Sequence, residues 1–391
     1  MSRLNELIQQ YCPDGVEYKK IKEVYQRIKG TPITAGKMKE IQCPDGEIRI
    51  FAGGKTVIDA NEADIPNANI TRVPSVLMQS RGVIDAIYYD KPFTFKNEMW
   101  AYTHKEQTSV KFLYYVMKQN IQHFRDAASG MGALPQISLG TTEDFSIPVP
   151  PLPVQEEIVR ILDNFAELQA ELQAELQKRL QQYNYYRDNL LSFEGRSDVE
   201  WKKLGEIAQV YDGIHQTPNY TTSGIPFISV ENIGNIYGSN KYISVQDFNS
   251  YKVKPRVGDL FMTRIGSIGA CAVFDKEADI AYYVSLALIR PNADIISTGY
   301  LKHIIESRIG RSELSKRTIH TAVPIKINKN DIGKISLPIP PIEEQKRIAS
   351  ILDKFYTLTT DITAGLPAEI EARRKQYEYY RDQLLTFEKK A

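Results

Sequence analysis

Few residues in this chain combine the types and spacing of a reaction centre. Gly53-Gly-Lys-Thr56 has the ending of a phosphate-cradling loop, in which glycine amides and a lysine hold phosphate oxygens. Such a loop needs a further glycine five residues before Gly54, and that position is Arg49. Cys12-Pro-Asp-Gly15 and Cys43-Pro-Asp-Gly46 could offer thiolates, but Pro-Asp-Gly is first of all a turn sequence. The three cysteines, Cys12, Cys43 and Cys271, are too few and too scattered for a disulfide framework or a four-ligand zinc site. The five histidines do not stand beside them at ligand spacing. His-Glu-x-x-His, Gly-x-Ser-x-Gly, Gly-x-Gly-x-x-Gly and the Asn/Asp-Pro-Pro-Tyr/Phe pattern of amino-methyltransferases do not occur. We therefore expect a chain with no catalytic centre, no metal and no cofactor of its own.

Composition narrows the class. The chain has 391 residues, 49 basic against 48 acidic, with 42% hydrophobic residues. That length suits two to three domains with cores of their own. No strongly basic body announces nucleic acid, and no acidic tail announces disorder. The N-terminal residues Met-Ser-Arg-Leu-Asn-Glu-Leu are not a signal peptide, and no run of about 18 apolar residues offers a membrane span. The expectation is a soluble cytoplasmic protein in a reducing compartment, with no membrane partner.

The elements that would position any site come twice. Val16-Glu-Tyr-Lys-Lys returns as Val199-Glu-Trp-Lys-Lys, an offset of 183. Leu77-Met78 with Gly82, Ile84 and Ala86 returns as Phe261-Met262 with Gly266, Ile268 and Ala270, an offset of 184. Ile147-Pro-Val-Pro-Pro151 returns as Leu337-Pro-Ile-Pro-Pro341, an offset of 190. Tyr183-Asn-Tyr-Tyr-Arg-Asp-Asn-Leu-Leu-Ser-Phe-Glu194 returns from Tyr377 to Glu388 with nine of twelve positions identical, an offset of 194. Chance would give about one, so the chain is an internal duplication.

Each half opens with short β-branched runs broken by Gly, Asn and Pro, such as Ile225-Pro-Phe-Ile-Ser-Val230, mixed with helical segments. A proline run and a long helix follow. The first helix, from about Gln155 to Glu194, carries an apolar stripe: Ile158, Ile161, Phe165, Leu168, Leu172, Leu176, Leu180, Tyr183, Tyr186, Leu190, Phe193. Its mean spacing of about 3.5 is that of a left-handed coiled coil. The second helix starts near Glu343 with Ile348, Ile351, Phe355 and Leu358, is interrupted at Gly365-Leu-Pro367, and resumes to about Phe387. From Leu358 to Tyr377 it is four residues longer than the matching stretch from Leu168 to Tyr183, so strict twofold symmetry is not expected. The two helices should pair and leave the globular regions at opposite ends. Within the first, Ala-Glu-Leu-Gln repeats three times over residues 166–177, a spacer in which each copy adds about 6 Å. Residues 155–194 carry 4 basic and 8 acidic side chains, and residues 195–342 carry 18 and 14, which suits heads that touch phosphate and a rod that touches protein.

The block Pro148-Val-Pro-Pro151 with Gln155-Glu-Glu-Ile-Val-Arg-Ile-Leu-Asp163, its twin Pro338-Ile-Pro-Pro341 with Gln345-Lys-Arg-Ile-Ala-Ser-Ile-Leu-Asp353, and the two Tyr-x-Tyr-Tyr-Arg-Asp-x-Leu-Leu helix ends resemble the DNA specificity subunit of type I restriction–modification systems. The resemblance covers the whole chain. It implies an α+β fold: two mixed α/β target-recognition domains separated by two long helices that form an antiparallel coiled coil, with pseudo-twofold internal repeat. On that scheme, residues 1–150 and 195–340 are the recognition domains, and 151–194 and 341–391 the helical spacers. It also implies a non-catalytic subunit that binds double-stranded DNA at an asymmetric bipartite site. Its coiled coil docks methyltransferase subunits, two of them, and restriction/translocase subunits join that core. Tandem four-residue repeats in such a helix set the gap between half-sites. S-adenosylmethionine belongs to the methyltransferase partner.

Base edges are read by Arg, Lys, Asn, Gln, Ser and Thr beside close-approaching glycine turns. In the first head these considerations select Lys55 and Thr56, Arg81, Lys96 and Asn97. In the second they select His215, Gln216 and Thr217, Asn232, Arg264 and Ser267. The tyrosine pairs after Tyr183 and Tyr377 suit coiled-coil ends packed under a head better than base stacking. Two other readings stay open: a non-catalytic coiled-coil scaffold whose heads bind protein, and an enzyme with duplicated domains.

Overall fold

A computed structural model of the protein describes residues 2–54, 56–129, 134–360 and 365–390. They fall into two compact units, Met1–Leu172 with Ile370–Ala391, and Gln173–Glu369. Each unit takes one globular head and a share of the long helices.

In the first unit a four-stranded antiparallel sheet runs Gln26–Ile28, Trp100–Thr103, Ser75–Gln79, Asp85–Tyr89. The central strand Ser75–Gln79 is buried throughout. Alternation along it sends Val76 and Met78 into a core with the helix Gln107–Gln119, and Leu77 into a second core with Phe51, Phe93 and Phe95. That second core joins a three-stranded sheet, Val57–Ala60, Ile48–Phe51, Phe93–Phe95, whose last pair is parallel. A two-stranded ladder, Tyr18–Lys20 with Ser146–Pro148, closes the head just before the long helix.

The second unit repeats this plan strand for strand. Its four-stranded sheet runs Ala208–Asp212, Leu286–Pro291, Leu260–Thr263, Cys271–Val273. Leu260 and Met262 point to one core and Phe261 to another. The three-stranded sheet is Tyr242–Ile243, Ile225–Ile228, Ala281–Tyr282, again with one parallel pair. Glu200–Lys203 pairs with Ser336–Ile339 before the next helix. The duplication seen in the sequence is thus a duplication of topology.

The central helix is continuous from Leu152 to Leu190. The later helices are Ile342–Thr360 and Leu366–Leu384, so the expected interruption separates two helices. In the first unit Val154, Ile158, Val159 and Leu162 of the central helix pack into the head's core with Leu384 and Leu385. This face is wider than the expected stripe, and Leu162 rather than Ile161 is fully buried beside Val154 and Ile158, because a head as well as a helix covers it. Phe165 stacks on Tyr380 and meets Tyr377 edge-on. In the second unit Tyr183 is buried against Tyr356, and Tyr186, though largely exposed, stacks on Phe355. The leucines between, Leu168, Leu172, Leu176 and Leu180, are half-buried. Among the described residues no helix is long and apolar enough to cross a membrane.

Each head is tied to its helix by an equivalent aspartate. Tyr115 donates to Asp163 at 2.5 Å and Lys111 lies 2.7 Å from it. In the second unit the buried His303 sits 2.7 Å from Asp353, with its other ring nitrogen 3.2 Å from the Tyr183 hydroxyl. Burial pushes the Asp353 carboxyl up, but the hydrogen bond and charge of His303, with Lys302, more than offset it and hold the group below its ordinary value. A carboxylate depressed on folding stabilises above its unfolded pKa and loses that contribution as pH falls through the folded one. Asp353→Asn should therefore destabilise the protein at pH 7 by less than about 1 kcal/mol, since the side chain is 55% exposed. The gap to the parent should narrow as pH falls below about 4. Urea midpoints from pH 7 to about 3 check this, and a gap that widens in acid contradicts it.

Candidate nucleic-acid interface

In the first head, three short segments meet at one end of the sheets. The loop between Ile48–Phe51 and Val57–Ala60 is closed by Ala52 donating to the Thr56 carbonyl at 3.0 Å. Gly54 sits at φ +73°, its amide donates to the Arg81 carbonyl at 3.1 Å, and Gln79 Nε2 donates back to the Gly54 carbonyl at 2.7 Å. The turn 96–98 lies alongside. Lys96 N donates to the Phe51 carbonyl, Gly53 N to Glu98 Oε1 at 3.3 Å, and Ser80 Oγ to the Glu98 carbonyl. Burial pushes the Glu98 carboxyl up, but the Lys96 ammonium at 3.0 Å and nearby backbone amides outweigh it and hold it below the usual range.

The structure therefore brings Thr56, Arg81, Lys96 and Asn97 together, with Thr56, Arg81 and Asn97 exposed and Lys96 half-buried on Glu98. Lys55 lies outside the described residues. Trp100, beside this patch, is a packing residue whose indole donates to Thr142 at 2.8 Å.

In the second head His215, Gln216 and Thr217 are exposed on the loop after Ala208–Asp212. Gly213 anchors that loop, since a Cβ there would meet the Tyr282 carbonyl at 2.5 Å. Ser267 is exposed just beyond Gly266, which adopts φ +81°. Asn232 is half-buried and its side-chain oxygen accepts from the Ser229 amide at 3.0 Å. Arg264 is placed otherwise than base reading requires. It is 6% exposed, is ion-paired with Asp212, and donates through Nε to the Ile327 carbonyl at 3.1 Å. Its position corresponds to Ser80 of the first head, so a guanidinium there is drawn inward by an acidic neighbour and serves the frame.

One element beside these residues escaped the sequence reading. In each head a pair of antiparallel bridges lies against the glycine turn, Ser129↔Gln136 and Arg81↔Gln136 in the first and Ile319↔Lys326 and Ile265↔Lys326 in the second. Gly82 N donates to Pro135 O and Gly266 N to Ile325 O, both at 2.8 Å. Ile137 N donates to Ser80 O and Ile327 N to Arg264 O, both at 3.0 Å. Aligning 128–137 with 318–327 at the 190 offset of the proline runs would have found it, but the two stretches share little sequence.

Cys12 and Cys271 are buried, and burial pushes both thiols up, Cys271 strongly, which keeps them protonated. Among the described residues no three His, Cys, Asp or Glu side chains gather as a metal site would need.

Comparison with known proteins places this geometry. The family described as Type I restriction modification DNA specificity domain matches residues 13–182 and again 196–372. The specificity subunit of the type I restriction enzymes EcoR124I and EcoR124II of Escherichia coli is 37% identical over 304 residues, 72% of each chain. Among solved structures, the S subunit of a type I restriction–modification system from M. genitalium superposes with a TM-score of 0.58 at 15% identity, covering 95% of each chain. A chain from a structural study of assembly and conformational transition in the type I R-M system gives 0.53 at 17% identity, covering 95% of this chain and 98% of that one. With two successive matches on two heads of one topology, the chain belongs to the type I restriction–modification DNA specificity family.

Proposed function

We propose that this chain is the non-catalytic subunit that selects the DNA site of a type I restriction–modification complex. Each head reads one half of an asymmetric, bipartite duplex site. The helices dock two methyltransferase subunits, which carry S-adenosylmethionine and methylate adenine, and restriction subunits join that core. Residues 1–150 and 195–340 act as the recognition domains and 151–194 and 341–391 as the spacers. Thr56, Arg81 and Asn97 in one head, and His215, Gln216, Thr217 and Ser267 in the other, are exposed where DNA contact is proposed.

One observation carries this reading. The two heads share strand order and glycine-turn hydrogen bonds, yet differ in the side chains set on that frame. A binder of one partner in two copies would keep the same side chains. A reader of two different half-sites needs the same frame with different ones. Formal net charge of +1 makes the non-specific electrostatic pull of the lone chain weak. The decisive assay is therefore on the whole system: a map of methylated adenines in the source genome with and without this gene. Loss of one gapped, asymmetric motif is the expected result. An unchanged map in a strain that expresses the methyltransferase partner would overturn the reading.

A further inference from the structure

The bridge pattern beside the glycine turns defines a row of side chains in each head. Directly opposed residues of antiparallel strands stand on one face. Arg81 opposes Gln136, and Gln136 opposes Ser129, so the three form one row across three neighbouring strands. All three are exposed. In the second head the same bridges align Ile265, Lys326 and Ile319, with Lys326 exposed and the isoleucines half-exposed. Among the described residues neither Arg81 nor Lys326 has an acidic partner at ion-pair distance, unlike Arg264, Lys96 or Arg290.

We propose that this row is where each half-site is read, which rests on the function proposed above. Three features support it. Three backbone bonds under the rows recur in both heads, donated by Gly82 and Gly266, by Ile137 and Ile327, and by Ser129 and Ile319, so the rows occupy equivalent places. Their chemistry is not matched: Arg-Gln-Ser in one head, Ile-Lys-Ile in the other. Side chains on adjacent strands are about 4.8 Å apart, close enough to the 3.4 Å rise of stacked bases for neighbours in the row to meet successive or alternate bases.

The residue types then specify what is read. Arginine pairs bidentately with guanine O6 and N7, glutamine with adenine N6 and N7, and serine accepts or donates to either. Lysine reaches the guanine acceptors, and isoleucine packs on the thymine methyl. The half-site of the first head should contain a guanine near an adenine. That of the second should contain a guanine flanked by thymine.

The test uses the full chain assembled with its methyltransferase, with methylated adenines mapped for Arg81→Ala, Gln136→Ala and Lys326→Ala. Each variant should relax one base position in one half-site, by roughly 5- to 150-fold. The other half-site and the gap should stay as in the parent, and they report that the protein is folded and assembled. An unrelaxed motif in all three, or a uniform loss at every site with no base relaxed, would overturn the row as a reader and mark phosphate contacts instead. Should truncation abolish methylation, Gln136→Lys decides. A changed base at that position supports the row, and an unchanged motif overturns it. A parent complex that marks no gapped motif overturns the function proposed above and the row with it. A parent that marks one while its row variants do not relax it overturns the row alone.

Discussion

Deleting one Ala-Glu-Leu-Gln copy from the central helix is expected to shorten the gap in the methylated motif by one or two base pairs while leaving both half-sites unchanged. The three copies occupy residues 166–177, and the boundary between the compact units, Leu172 to Gln173, falls inside them. Four helical residues advance about 6 Å and turn about 40° past a full rotation. One base pair advances about 3.4 Å and turns about 35°. One base pair thus matches the rotation and two match the translation. The seam survives the deletion, because Leu168, Leu172 and Leu176 are spaced by four and a leucine always follows a leucine. Ala, Glu, Leu and Gln are all good helix formers, so stability should change little. Methylome mapping of a two-copy and a four-copy variant reads the result. A gap that ignores the copy number, or a changed half-site, would show that the helix is not the ruler.

Replacing Asp259 by alanine is expected to destabilise the second unit by about 3–5 kcal/mol, read from the urea midpoint. Asp259 is 2% exposed and accepts from Arg290 Nε and Nη2 at 2.8 and 2.7 Å, while its backbone opens the strand Leu260–Thr263. The pair holds Arg290 charged and raises its pKa further. Without the carboxylate, a largely buried guanidinium keeps only the Lys254 carbonyl and the face of Tyr211. The first head manages the same junction without charge. By strand register Ser75 and Thr103 stand where Asp259 and Arg290 do, and their hydroxyls donate to the Val73 and Pro74 carbonyls. Asp259→Ser combined with Arg290→Thr should therefore recover much of the loss, since no unpaired charge remains. A double variant as unstable as Asp259→Ala would show that packing of the long side chains, not the buried charge, dominates.

Much of the architecture was legible because duplication acts as an internal control. The offsets of 183, 184, 190 and 194 rise in order, so they align the two heads before any strand is assigned. Pro148 and Pro338 of the proline runs lie on the closing ladders, and the long helices start shortly after them, at Leu152 and Ile342. The apolar stripe was legible through the Ala-Glu-Leu-Gln region, where Leu168, Leu172 and Leu176 are half-buried. It misplaced the burial at Leu162, because periodicity describes one flat partner and a globular head covers a broader face. The tyrosine clusters at the helix ends were legible only in part: Tyr183 is buried with the second head's core, while Tyr185, Tyr186 and Tyr379 are exposed.

The candidate interface was less legible. Residue type alone singled out the glycine turns, and Arg81 and Ser267 beside them are exposed. The same logic selected Arg264, and nothing in the linear order announces that Asp212 and the Ile327 carbonyl turn it inward. Gln136 and Lys326 carry no local signal, for the stretches 128–137 and 318–327 share little sequence.

The sequence by itself determined the duplication, the two heads, the helices between and after them, and the family to which they belong. These follow from local periodicity and from order along the chain, which folding preserves. Only the tertiary structure decided which polar side chains face outward, how Arg81, Gln136 and Ser129 come into one row, and how one aspartate became a buried anchor in the second head. Those outcomes depend on strand register and on charges brought together from segments 50 or more residues apart, as with Asp212 and Arg264. A one-residue change of register would send each such side chain to the other face, so no reading of neighbours along the chain could have settled them.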